Sequence, residues 1–105
     1  MLYPVLRSQF LMGRTNTALL LIDVQEKLAP RIAGHERVIW NAGRLLDSAS
    51  LLDIPVVCTE QYPEGLGPTV PELKRRIGQA DAKRMFSCRE CAPRMAALRE
   101  GGRHN

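Results

Sequence analysis

An α/β domain built on a parallel sheet is what this sequence predicts, and three observations predict it. Ala18 to Ile22 is an unbroken apolar run inside the segment Thr17–Val24, the pattern of a strand buried on both faces rather than one. From His35 to Leu52 the period changes: Val38, Ile39, Ala42, Leu45, Leu46, Ala49 and Leu52 fall on one helical face. Ile54 to Thr59 is then a second short apolar run. Strand, helix and strand within about 45 residues make a βαβ unit, whose two strands lie parallel.

Each element has a local cause. Residues 1–16 carry no sustained period and are expected to be an irregular extension before a domain over 17–105. Residues 1–14 hold two arginines, no acid and no continuous apolar stretch, so they do not form a secretory signal. The first strand gives way to a loop holding Pro30 and Gly34. Gly43 costs the long helix about 1 kcal/mol against alanine, and its bareness suits a helix lying close to the sheet. Pro55 stands at the start of the second strand, where a missing N–H is tolerable.

Gln61 to Pro71 holds Pro63, Gly65, Gly67, Pro68 and Pro71 and reads as loop. Pro71-Glu72-Leu73 opens a helical turn, since proline is tolerated at the first helical position. Gln79 to Met85 is a weak third strand. Glu90 to Arg99 reads as a helix with Pro93 in its first turn, stopped by Gly101-Gly102.

Composition narrows the function classes. The 105 residues, 45% hydrophobic and 25% charged, fit one globular domain. The run Ala18–Ile22 is far short of the roughly 20 residues a membrane span needs, so no membrane partner is expected. The formal net charge is +4, but the basic residues are dispersed and aromatics make up only 5%, which argues against a nucleic-acid partner. The Lys74-Arg75-Arg76 cluster reads as a solvated helix face. Three cysteines, with Cys58 inside an apolar stretch, are not a disulfide framework; a reducing, cytoplasmic setting fits them.

Open parallel sheets bind ligands outside the carboxyl ends of their strands. The first strand ends at Asp23, the second at Thr59-Glu60-Gln61 and the third near Lys83. An acid at the mouth of a buried strand suits acid–base work, because burial and neighbouring charge tune it; on pattern alone it equally serves to cap the following turn. Lys83 is the natural cation for it. The strand ends stand about 10 Å apart with one strand between them, a gap that a lysine side chain largely covers, although spacing alone also allows a surface lysine. Cys88 and Cys91 form a C-x-x-C, which spacing leaves open between a redox pair and coincidence. No four-ligand zinc set accompanies them: Cys58, His35 and His104 are not at ligand spacing, with His35 read as a loop residue and His104 as part of a fraying terminus.

The stretch Ala18 to Gln25, the segment Thr59-Glu60-Gln61-Tyr62-Pro63, the run Gly65 to Leu73 and the Lys83-x-x-Phe86-Ser87 pattern together resemble the isochorismatase-like cysteine hydrolases, in the metal-free isochorismatase domain-containing subgroup. The resemblance runs from Thr17 to Gly102. It implies a three-layer, Rossmann-like sandwich around a six-stranded parallel sheet of order 3-2-1-4-5-6. It also implies hydrolysis of a small amide or a related C–N or C–O bond by an Asp-Lys-Cys triad. On that resemblance Asp23 is the general base, Lys83 stabilises the thiolate and oxyanion, and Gln25, Gln61 and Tyr62 contact a small-molecule substrate. The metal ligands of the nicotinamidase branch have no counterpart in Thr59–Pro63, so neither metal nor other cofactor is expected. The family's nucleophilic cysteine follows a fourth strand, and the sequence ends at Asn105 before one. The expectation is therefore an N-terminal half of the fold, inactive by itself, with its first strand at an exposed edge that favours a homo-oligomer. A non-catalytic binding or assembly module derived from the same fold is the alternative.

Overall fold

The computed structural model describes Ser8 and residues 10–105; residues 1–7 and 9, most of the expected N-terminal extension, lie outside the described residues. Three parallel strands, β1 (Leu19–Ile22), β2 (Val56–Gln61) and β3 (Ala80–Lys83), form one sheet in the order β1-β2-β3. Leu21 lies opposite Cys58 and Ile22 opposite Thr59, while Cys58 lies opposite Ala80 and Gln61 opposite Lys83. Because side chains alternate across a strand, Leu21, Cys58 and Ala80 share one face, and Thr59, Gln61, Asp81 and Lys83 share the other.

The helix α1 (His35–Leu51) joins β1 to β2. It buries Ala42, Gly43, Leu46 and Ala49. Two short helices, α2 (Pro63–Leu66) and α3 (Pro71–Lys74), lie between β2 and β3. The core gathers Leu21 and Cys58 from the sheet, Ala42 and Leu46 from α1, Leu73 from α3, and Ala29 and Val70 from the connections. A 3₁₀ turn, Cys88–Cys91, leads into α4 (Ala92–Glu100). Arg94 of α4 pairs with Asp81 at 2.6 Å, on the sheet face opposite the core. Among the described residues no helix is long and apolar enough to cross a membrane.

Several expectations change in detail. The first strand is four residues, not eight. At its start the Thr17 carbonyl accepts from Arg103 at 3.0 Å and the Ala18 N–H donates to Asn105 O at 2.7 Å. At its end Asp23 adopts φ 55°, which stops the ladder. His104 does not fray, since its N–H donates to Asn16 O at 3.0 Å. His35 is the first residue of α1, with its ring Nδ1 3.0 Å from Ile32 O. The Gln61–Pro71 segment contains the one-turn helix α2, opened by Pro63 and closed by Gly67 at φ 78°.

Gly43 faces α3 rather than the sheet: a Cβ there would meet Leu73 at 3.8 Å and the Arg76 guanidinium at 3.5 Å. The Lys74-Arg75-Arg76 cluster is exposed, as expected, and Arg76 makes a surface ion pair there, donating from Nε to Asp47 Oδ1 at 2.8 Å and so tying the segment after α3 to α1. Val38, Leu45 and Leu52 belong to the apolar stripe expected of the long helix but stay exposed, as do Leu20 and Ile22 of β1.

Candidate functional site

The ends of all three strands converge on one carboxylate. Regular alternation would turn Asp23 toward Leu21 and the core. The left-handed backbone at Asp23, a conformation that Asp tolerates better than most residues, carries its side chain to the other face instead. There Thr59 Oγ1 donates to Asp23 Oδ1 at 2.8 Å, and Lys83 Nζ donates to Asp23 Oδ2 at 2.8 Å. One carboxylate oxygen is thus held by the end of β2 and the other by the end of β3. The Asp23 N–H also donates to Thr59 O at 3.1 Å, which fixes the backbone beneath.

Lys83 is 1% exposed, and its ammonium sits among four acceptors. Besides Asp23 these are Gln61 Oε1 at 3.1 Å, Met85 O at 3.2 Å and Phe86 O at 2.8 Å. An ammonium has three hydrogens, so the four acceptors share them. The Phe86 ring centroid lies 5.8 Å from Nζ, within the range in which a ring face attracts a cation. A buried ion costs several kcal/mol unless it is paired and hydrogen-bonded; the chain supplies both conditions by bending residues 84–87 back over the lysine.

The loop beside this pair is held by Gln25, which is fully buried. Its Oε1 accepts from the Gln61 N–H at 2.7 Å, and its Nε2 donates to Gln61 O at 2.9 Å and Gly67 O at 2.8 Å. Both amide hydrogens are therefore committed to backbone carbonyls, which makes Gln25 a staple between β2 and the α2 segment. Gln61 reaches the centre itself through Lys83. Tyr62 connects through its backbone, its N–H donating to Lys83 O at 2.8 Å, while its ring stands half-exposed at the start of α2. Glu60 secures the far side of the loop: its Oε2 accepts from the Thr69 N–H at 2.6 Å and the Thr69 hydroxyl at 2.8 Å.

Comparison with known proteins decides the family, since the Isochorismatase domain model matches residues 17–102. The chain belongs to the isochorismatase family. It is 49% identical over 72 residues to isochorismatase domain-containing protein 2A of Mus musculus, an alignment covering 69% of this chain and 35% of that one. It is likewise 49% identical over 78 residues to isochorismatase domain-containing protein 2 of Danio rerio, covering 71% and 40% respectively. The chain thus spans well under half the length of these curated relatives. The solved structure of the MAR1 ribonuclease from Caenorhabditis elegans superposes with a TM-score of 0.66 at 30% identity, over 88% of this chain and 62% of that one.

Within this isochorismatase-family chain the three cysteines stand as follows. Cys58 is buried on the core face of β2, the side away from Thr59. Burial pushes its thiol above the ordinary range; the Thr69 hydroxyl, 3.5 Å away, works against this, and the negative charges of Glu60, Asp23 and Asp81 add to it. Cys88 and Cys91 are the two ends of the 3₁₀ turn. Among the described residues no three His, Cys, Asp or Glu side chains come together as a metal-binding group.

Two buried threonines beside the carboxylate and its loop are not singled out by sequence reasoning. Thr59 is completely buried against Asp23, and its signal is parity: two residues before Gln61 on one strand, it faces the same way. Thr69 is also completely buried, and it joins Glu60 to the backbone of the 66–70 segment. It lies in the Gly65–Leu73 run that carries the family resemblance, but no local pattern marks Thr69 itself.

Proposed function

We propose that this chain carries the acid–base half of a hydrolase centre, acting on a small amide or a related C–N or C–O bond. The observation that supports this is the convergence of Asp23, Thr59, Gln61 and Lys83 at the carboxyl ends of the strands, where open parallel sheets take their ligands. In this reading Asp23 is the base that takes the proton of a thiol nucleophile. Lys83 holds the carboxylate in place and stabilises negative charge developing beside it, as a cation does for a thiolate or an oxyanion. Gln61 and Tyr62 line the approach, and Gln25 sets the loop that carries them. The proposal requires no cofactor.

Cys58 does not serve this centre as its nucleophile, since it lies on the opposite face of the sheet with its thiol pushed up. Purified chain is therefore expected to show no thiol-dependent hydrolysis of small amides. A soluble small-molecule thiol should restore slow cleavage of an activated amide, and Asp23→Asn should abolish that rescue. Activity of the chain alone that vanishes in Cys88→Ser or Cys91→Ser would overturn the assignment. Absence of rescue would favour the non-catalytic module, which is also supported by the four protein acceptors that already occupy Lys83. The solved relative is named a ribonuclease and the present chain has a net charge of +4, so RNA enters the same assay. Cleavage of RNA dependent on Asp23 would replace the small-molecule reading.

We further propose that the chain associates with a second copy of itself through β1, in a cytoplasmic setting. The strand is an edge of the described sheet, and the exposed Leu20, Ile22, Val38 and Leu45 lie on it and on the adjoining helix; an apolar edge is a template for pairing. Light scattering over a dilution series is expected to show a concentration-dependent mass. A constant mass of 11.8 kDa would refute it.

A further inference from the structure

The C-x-x-C is not used by the hydrolase reading, and its geometry gives it chemistry of its own. Cys88 and Cys91 are the first and last residues of a single 3₁₀ turn between β3 and α4. In such a turn three residues complete one revolution with a rise of about 2 Å each, so residues i and i+3 eclipse about 6 Å apart. The Cα atoms are then within the roughly 4.4–6.8 Å that a disulfide spans, while the eclipsed Cβ atoms, also about 6 Å apart, must draw in to roughly 3.5–4.5 Å, so bond formation tightens the turn locally. The two thiols differ in access. Cys88 is half-buried, whereas Cys91 is buried beside an open surface groove that it lines with Ala80, Asp81, Arg94 and Ala97 along β3. Neither is in a disulfide. Ser87 steadies the turn by accepting from the Arg89 N–H at 3.1 Å.

We propose that Cys88 and Cys91 are a reversible dithiol–disulfide site whose oxidant is a low-molecular-weight disulfide of the glutathione type. Cys88, the reachable sulfur, attacks as thiolate on one sulfur of glutathione disulfide. The glutathione S–S bond breaks, a Cys88–glutathione bond forms, and one glutathione thiolate leaves and takes a proton from water. Cys91, stacked one turn away, then attacks Cys88 Sγ as thiolate and expels the second glutathione. Overall the protein loses two electrons and two protons, and glutathione disulfide becomes two glutathione thiols. The buried partner acts as the resolving thiol, because its proximity makes the second attack intramolecular. Cys58 is held away on β2 and takes no part. The site lies next to the lysine cradle, since Met85 O and Phe86 O, which bind Lys83, immediately precede the turn.

The test is intact-mass spectrometry of the reduced full chain after incubation with glutathione disulfide, followed by tryptic mapping. The expected product has lost two hydrogens and yields a disulfide-linked pair of peptides, residues 85–89 joined to 90–94. It is reversed by dithiothreitol, and its yield follows the ratio of glutathione disulfide to glutathione. Cys91→Ser should stop at one glutathione adduct on Cys88, and Cys88→Ser should give no disulfide. A persistent glutathione adduct on Cys88 in the unaltered chain would overturn the proposal. So would a disulfide that includes Cys58, or retention of all three thiols.

Discussion

Lys83 Nζ stands 2.8 Å from Asp23 Oδ2, although 60 positions separate the two residues in the chain. The contact spans the whole sheet, from the end of β1 past β2 to the end of β3. It forms between a lysine whose side chain is fully buried and a carboxylate that is only 10% exposed. Water therefore screens it little, and each charge depends on the other being present.

Lys83→Met is accordingly expected to lower stability by about 3–5 kcal/mol, because it strands a carboxylate beside the apolar end of β1. Asp23→Asn keeps a residue that tolerates the left-handed backbone and should cost a similar amount by leaving the ammonium without its anion. The double variant should lose less than the sum of the two. Urea unfolding of all four proteins gives the cycle; additive losses would mean the pair is not coupled.

Gln25 offers a separate handle on the loop. Gln25→Ala leaves the Gln61 N–H and the Gln61 and Gly67 carbonyls without their partner, an expected cost of about 1–3 kcal/mol for each buried group that stays dry. Gln25→Glu retains the acceptor for Gln61 N–H but turns a second oxygen on two carbonyls, so it should not rescue. Hydrogen exchange at the Gln61 amide, whose N–H Gln25 accepts, should accelerate in Gln25→Ala. That at the Gly67 amide, held by Pro63 O, should accelerate in both variants as the loop loosens, while exchange within α1 does not change. Rescue by glutamate would show that only the acceptor matters.

What the sequence discloses of this architecture depends on the range of each cause. The β1–α1–β2 unit is legible because its signal is periodicity within one segment. Asp23 and Lys83 are legible as strand ends, and the family resemblance supplies their partnership. The α2 turn is hidden because Pro63, Gly65 and Gly67 are equally the residues of a loop; the hydrogen bonds of Gln25 to Gln61 and Gly67 are what select the folded form. Thr59 and Thr69 are hidden for another reason: their roles are set by partners 36 and 9 residues distant. The exposed side of the α1 stripe shows the opposite limit, since the period predicts an apolar face at Val38 and Leu45 but not whether anything covers it.

Two glycines should respond in opposite directions. At Gly43 the added methyl of Gly43→Ala meets only ordinary contacts, 3.5 Å to Arg76 and 3.8 Å to Leu73, and the helix gains about 1 kcal/mol of propensity. At Gly67 the backbone holds φ 78° and ψ 170°, a region that is essentially reserved for glycine, so Gly67→Ala should cost on the order of 1–3 kcal/mol. Thermal unfolding of the two variants beside the parent reads both signs. A destabilising Gly43→Ala would show that α1 and α3 pack too tightly to admit a methyl.

Cys58 carries a pH dependence whose sign follows from its surroundings. Burial is the main cause that raises its thiol, and the nearby negative charges add to it. The native chain therefore keeps this proton at pH values where the unfolded chain, with an ordinary thiol near pKa 8.5, gives it up. In that window the unfolded state binds fewer protons, so stability falls as pH rises. The stabilising difference is complete below about pH 8.5 and is lost as pH climbs toward the raised native value. Unfolding of the parent and of Cys58→Ala, measured from pH 7 to 10 as ~0.5-unit steps, should diverge only at the alkaline end, with the parent showing the steeper decline. Alkylation gives a second reading of the same proton. Iodoacetamide reacts with thiolate, so under native conditions Cys58 should be modified much more slowly than in urea, and the ratio should track the unfolding equilibrium. Equal rates in the two conditions would mean that the thiol is neither buried nor raised, and the core face of β2 would have to be redrawn.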